Sequence, residues 1–206
     1  MEGVEFHGHV SYLKAGLYYA DRLSTVSPTY AREIQTPEGG RGLDGLLRHR
    51  AAHLSGILNG VDYDYWDPRN DGMIPASYGP DSLEAKAANK RVLQARFGLP
   101  DAPGAPLFGL VSRLTEQKGV DLVLDLAGEM QRRGAQVVVL GTGDPTLQHR
   151  LLNTAQAMPE TMAAMVGYDE ELSHLIQAGS DFFLVPSRFE PCGLTQMYAL
   201  RYGTPP

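Results

Sequence analysis

From about residue 83 onward the sequence predicts an α/β fold, a parallel sheet with helices on both faces. Apolar runs of strand length alternate with amphipathic stretches of helix length, the pattern of strands joined by helical crossovers. The run "AQVVVLG" is apolar without alternation, as befits a strand covered on both faces. Helix starts and stops also fall at regular places: Gly98 and Gly134 close helices, and Asp144 with Pro145 opens one.

Before residue 75 the pattern is irregular. "SYLKAGLYYADRLSTVS" predicts an amphipathic helix running into a short strand, and "SPTYAREIQ" a helix with a serine cap and a proline in its first turn. "TPEGGRGLDGLL" reads as a Gly-rich loop and a short helix, "GILNGVDYDYWDPRND" as a strand that breaks into turns. Gly, Pro and Asp between residues 60 and 82 mark a linker or domain edge. The regular part then runs helix ("SLEAKAANKRVLQARFGL"), strand ("PLFGLVSRL"), helix ("GVDLVLDLAGEMQRRG") and the buried strand. It continues with helix ("DPTLQHRLLNTAQ"), strand ("AAMVG"), helix ("DEELSHLIQAG"), strand ("DFFLVPS") and helix ("GLTQMYALRYG"). No internal repeat or low-complexity segment occurs.

A formal net charge of −6 over 206 residues gives no footprint for nucleic acid or an anionic membrane. An anionic ligand would be held by a few placed cations. No apolar run approaches the roughly 20 residues needed to span a bilayer. The first ten residues lack the basic and apolar regions of a signal peptide. One cysteine, Cys192, cannot form an intrachain disulfide, which favours a reducing compartment.

Parallel sheets bind ligands beyond the carboxyl ends of their strands. That rule selects "SRLTEQKG", "GTGD", "GYDEE" and "SRFEPCG". In the first, Arg113 leaves a strand and Lys118 precedes a helix, which suits a diphosphate and equally suits two solvated loop charges. "GTGD" lacks a third glycine and reads as a tight turn with Asp144 as cap. Tyr168 is placed to stack on a base or to pack, and Glu170 and Glu171 complement the start of a helix. His174 reads as structural. The last loop is the densest. Free N–H groups of Gly193, Leu194 and Thr195 at a helix mouth can hold a phosphate, Thr195 adds a hydroxyl, and Glu190 can hydrogen-bond a sugar beside it. Cys192 reads as a small packed residue at this mouth rather than a nucleophile. Asp62, Tyr63 and Asp64 have an Asp-x-Asp form too short to assign a metal, and His7 and His9 read as incidental. Neither Ser112 nor Ser187 sits in a G-x-S-x-G elbow, so a hydrolase triad has no support.

"YLKAGLYYADRLSTVSPTYAREI", "GILNGVDYDYWDPRND", "LFGLVSRLTEQKGVDLVL", "VVLGTGDP" and "GYDEELSHLIQAGSDFFLVPSRFEPCGLTQMYALRYGTPP", in this order, resemble bacterial glycogen synthases and plant starch synthases. The resemblance implies a retaining glycosyltransferase of the GT-B type, with two Rossmann-like domains and a cleft between them. Residues 1–60 would be the tail of the N-terminal, acceptor-side domain and 61–206 most of the C-terminal nucleotide-sugar domain. The implied reaction transfers glucose from ADP-glucose to the non-reducing end of an α-1,4-glucan, in the cytoplasm, with no cofactor and no metal. Arg113 and Lys118 resemble the pair that neutralises the diphosphate, and Glu190 the glutamate that holds the transferred glucose. Tyr168 resembles the ring on adenine, and Asn59 an asparagine near the donor sugar. Cys192, Gly193, Leu194 and Thr195 fall among the substrate-binding positions. Eight positions after Glu190 stands Tyr198, where many related transferases carry a second glutamate and glycogen synthases do not. The Lys-x-Gly-Gly loop and the histidine of the N-terminal domain are missing, as is the Gly-Gly loop beyond "YGTPP". The expectation is therefore a fragment, inactive or nearly so by itself. The wider expectations left open are a UDP-glucose transferase, a non-catalytic nucleotide-binding module, and self-association as a homo-oligomer.

Overall fold

Strand β6 (Gln136–Gly141) is buried at every position and lies inside a sheet, as its unbroken apolar run requires. The computed structural model describes residues 3–206. They form two compact units, one of residues up to Gly60 together with Glu190–Cys192, the other of Val61–Phe189 and Gly193–Pro206.

In the second unit β6 pairs in parallel with β5 (Leu107–Val111) on one side and β7 (Met162–Val166) on the other. The short β8 (Phe182–Phe183) pairs in parallel with the far edge of β5, so the order is β7-β6-β5-β8. Side chains alternate across a strand. Val138 and Leu140 accordingly join a core with Leu93, Ile176 and Phe183, whereas Val137 and Val139 join another with Val120, Leu151 and Met162. Helices α5 (Lys86–Phe97) and α9 (Glu170–Gly179) contribute to the first layer, and α6 (Val120–Asp125) and α8 (Pro145–Ala157) to the second. Gly98 ends α5 at φ 69°, a left-handed cap that glycine adopts without Cβ strain.

In the second unit the structure refines local expectations. The stretch predicted as one helix from Gly119 is two, α6 and α7 (Ala127–Arg132), because Leu126 turns with ψ near −2° and donates to the Val123 carbonyl in a tighter 3₁₀ bond. "DFFLVPS" supplies only two strand residues. Leu184 N–H still reaches the Gly109 carbonyl at 2.7 Å, but Pro186 has no N–H to continue the ladder. Residues 61–85, read as a linker or domain edge, are irregular yet anchored, and the units divide at their start, after Gly60. Trp66, Ile74 and Tyr78 pack with Ala178 and with Tyr202 of α10 (Leu194–Arg201) and its end.

The first unit holds the cap its sequence announces at Ser27 and adds others at Ser11 and Thr36. Ser11 Oγ accepts from Lys14 N–H at 3.1 Å and starts α1 (Tyr12–Tyr19). Ser27 Oγ accepts from Tyr30 N–H at 2.9 Å and starts α2 (Pro28–Glu33). Strands β3 (Leu23–Thr25) and β4 (Leu54–Gly56) pair in parallel, so β4 ends before the apolar Ile57 and Leu58, which are exposed. The Gly-rich loop contains a helical turn, α3 (Pro37–Gly40), capped by Thr36, ahead of α4 (Asp44–His49). Leu23, Leu43 and Leu47 form the small core. A hairpin of β1 (Glu5–Phe6) and β2 (His9–Val10), absent from the sequence expectation, turns at His7 and Gly8, both with positive φ.

Candidate functional site

The second unit's strand order places a crevice. The chain steps from β5 outward to β6 and β7, then returns to β8 on the opposite side of β5. Connections leaving the carboxyl ends of β5 and β8 therefore diverge, and such a switch point is where open α/β sheets bind ligands.

Both connections are pinned. After β5 the chain makes one 3₁₀ turn, Glu116–Lys118, and reverses at Gly119 with φ 66°. A Cβ on Gly119 would lie 2.0 Å from the Pro186 carbonyl oxygen, so glycine is required there by both conformation and space. Arg188, beyond β8, donates its backbone N–H to the Gln117 carbonyl at 2.9 Å. Its guanidinium grips the Asp121 carboxylate with bonds of 2.9 and 2.6 Å and the Glu116 carbonyl at 2.5 Å. That fork holds the Asp121 carboxyl below the usual carboxylate range. Arg188 is thus a latch between the loop that carries Lys118 and the loop that leads to α10. Its position in "SRFEPCG" gave no signal of that partner.

"GTGD" (141–144) makes the tight turn expected of it. Gly143 and Gly141 lie so close to the preceding loop that a Cβ would come within 2.3 Å of the Leu114 oxygen and 2.0 Å of the Ser112 oxygen. Asp144 Oδ1 accepts from Thr146 and Leu147 N–H at 2.8 and 3.0 Å and caps α8.

Beyond the carboxyl ends of β5, β6 and β7 lies a cavity of about 250 Å³. Val111, Leu140 and Gly141 line it with Arg113, Tyr168 and Thr195, so three separate loops and helix mouths meet there. Arg113 is exposed. Helix α10 opens at Gly193 with φ 76° and no side-chain cap, and its first backbone bond is from Gln196 N–H to the Gly193 oxygen at 3.2 Å. The N–H groups of Gly193, Leu194 and Thr195 therefore precede the intrahelical ladder. Lys118 stands half-buried beside Gly119. Asn59, Glu190 and Cys192 belong to the first unit, Asn59 exposed and the other two half-buried.

Two features of the site escaped the sequence reading. Glu170, taken only as a helix-end charge, lines the cavity and accepts from the hydroxyls of Tyr168 and, at 3.2 Å, Tyr65. Trp66, in the segment read as a linker or domain edge, is stacked between His174 and Tyr198, with ring centroids 4.0 Å away on each side. His174 is fully buried, and its Nδ1 lies 2.8 Å from Asp71 Oδ2, which also accepts from Tyr202 Oη at 2.5 Å. Its structural assignment therefore stands. Asp62 Oδ1 accepts from Asp64 and Tyr65 N–H at 3.1 and 3.2 Å, so the Asp-x-Asp triplet forms a turn. Among the described residues no group of three His, Cys, Asp or Glu could hold a metal ion. No helix among them is long and apolar enough to cross a membrane.

The parallel α/β sheet, with its cavity beyond the carboxyl ends of β5, β6 and β7, is of the GT-B glycosyltransferase class. Residues 93–206 match the family model described as glycosyl transferases group 1, and residues 1–49 that of the starch synthase catalytic domain. The chain belongs to the glycosyl transferases group 1 family. It is 55% identical over its whole length to glycogen synthase 1 of Methylococcus capsulatus, covering 42% of that protein. The catalytic domain of starch synthase IV from Arabidopsis thaliana, bound to ADP and acarbose, is 39% identical with a TM-score of 0.92, over 99% of this chain and 42% of that one. A glycosyltransferase of Rickettsia africae shares the fold at a TM-score of 0.63 and 17% identity, over 97% of this chain and 48% of that one. The chain spans about two fifths of the length of the curated relatives it matches.

Proposed function

We propose that the protein transfers glucose from ADP-glucose to the non-reducing end of an α-1,4-glucan, with retention, in the cytoplasm and without a metal or cofactor. Residues 61–206 supply the nucleotide-sugar side and residues 1–60 part of the acceptor side. The relatives' names support the reaction class. The observation that carries the site is the meeting of Arg113, Tyr168 and Thr195 on one cavity at the sheet's carboxyl edge.

Cleavage of the bond from the sugar C1 to the diphosphate builds negative charge on ADP and positive charge on the sugar. In this reading Arg113, Lys118 and the N–H groups of Gly193, Leu194 and Thr195 receive the negative charge. Fixed donors need no reorganisation as the charge develops, and losing one costs about 100- to 1000-fold in rate. Tyr168 stacks on the base, Glu190 and Asn59 hold the transferred sugar, and Cys192 packs beside the helix mouth. No side chain is assigned as a nucleophile.

Isothermal titration of the chain with ADP tests the reading. Arg113→Ala should weaken ADP about 10-fold or more, the worth of a charge-assisted hydrogen bond. ADP binding indifferent to Arg113 defeats the diphosphate site. Tighter binding of UDP than ADP moves the donor to UDP-glucose.

A further inference from the structure

Tyr168 stands on the short connection between β7 and α9, 85% exposed. A ring so exposed would sample several rotamers unless something held its far end. Something does: its hydroxyl donates to Glu170 Oε2. The other oxygen of that carboxylate, Oε1, accepts from Tyr65 Oη at 3.2 Å, a contact across 105 residues of sequence. A glutamate present only to complement the helix start would not need either phenol.

Tyr65 is itself fixed. Its ring meets Trp66 edge-on at 5.6 Å and His174 edge-on at 5.2 Å. Trp66 is clamped between His174 of α9 and Tyr198 of α10, and His174 and Tyr202 share the buried Asp71 carboxylate. A continuous chain of contacts thus runs from the core to the exposed ring. Both phenols stay protonated and able to donate: Glu170's hydrogen bond raises Tyr168, and burial, then Glu170, raises Tyr65.

We propose that Glu170 and Tyr65 are positioning residues for Tyr168, holding its ring at the cavity so that a nucleotide base meets a stacking surface already oriented. The proposal rests on the nucleotide reading above and adds to it residues that touch neither diphosphate nor sugar. Its physical content is preorganisation. Fixing a side chain before binding removes its ordering cost from the affinity, worth about 2- to 10-fold.

The test is calorimetry with two ligands, ADP and inorganic pyrophosphate, on the wild-type chain and on Tyr65→Phe, Glu170→Ala, Glu170→Gln and Tyr168→Ala. Tyr65→Phe keeps the ring contacts and removes one hydroxyl, so the fold is preserved. Tyr65→Phe and Glu170→Ala should weaken ADP about 2- to 10-fold and leave pyrophosphate unchanged. Glu170→Gln should fall between wild type and Glu170→Ala, because its amide oxygen can accept from one phenol. In a Tyr168→Ala background, Tyr65→Phe should add nothing. Equal losses for ADP and pyrophosphate, unchanged ADP affinity, or additive effects in the double variant each overturn the proposal while the nucleotide reading stands. A wild-type chain that binds neither ligand overturns the nucleotide reading, and this proposal with it.

Discussion

Replacing Gly119 by alanine should open the switch point. The residue sits at φ 66°, where an L side chain costs about 1–2 kcal/mol. The added Cβ would also lie 2.0 Å from the Pro186 carbonyl oxygen. Ordinary contact begins at 3.4 Å, so two backbone segments must separate by about 1.4 Å (3.4 − 2.0). The bond from Arg188 N–H to the Gln117 carbonyl, 2.9 Å long, crosses the same gap and would be stretched beyond hydrogen-bonding range. Its loss adds about 1 kcal/mol. The sum is about 2–3 kcal/mol, or a fall in Tm of about 4–12 °C for a chain of this size. Trp66 is the only tryptophan and lies in the same unit, so its fluorescence during urea titration reports the change directly. Because Lys118 precedes Gly119, ADP affinity should fall as well. A Gly119→Ala variant within about 0.5 kcal/mol of wild type, with unchanged ADP affinity, would refute the argument that this close approach holds the two loops together.

Two further outcomes are expected. Lys86 Nζ is buried among the carbonyls of Ala178, Gln177 and Tyr202 and the Thr204 hydroxyl, and burial pushes it down to about 7 from the ordinary 10.5, with Asp181 opposing. In the unfolded chain the ammonium persists to its ordinary value, so between about pH 7 and 10.5 the unfolded state binds the extra proton. Stability should therefore rise with pH across that window, by an amount on the order of 5 kcal/mol. Urea midpoints measured against pH should show the rise in wild type and lose it in Lys86→Met; a rise of the same size in both would assign it to another group. Trp66→Ala should cost about 3–5 kcal/mol, as for other buried aromatic truncations, read as a lowered Tm by circular dichroism. A loss under about 1 kcal/mol would mean that the stack on His174 and Tyr198 is not a structural clamp.

The loops singled out by the strand-end rule leave the carboxyl ends of parallel strands of one sheet, and Arg113 and Tyr168 from two of them line one cavity with Thr195 of α10. That much was legible because strand and helix periods, proline starts and glycine stops are local codes. Asp144, Ser27 and Gly98 each do what their neighbours in sequence announce. The kink at Leu126 was not legible, since it depends on which carbonyl a backbone N–H finds, whereas the early end of β8 has its sign in Pro186, which the strand reading ran through.

The sequence by itself determined the alternation of strands and helices in the second unit, the burial of both faces of β6, and the caps at Ser27 and Asp144, because these follow from side-chain chemistry within a few residues. Only the tertiary structure decided that Arg188 latches Asp121, that Gly119 must pass against Pro186, and that Tyr65 reaches Glu170. Each of those contacts joins residues far apart in the chain. Their formation depends on how a twisted sheet brings its loops together, and no spacing along the sequence records that distance.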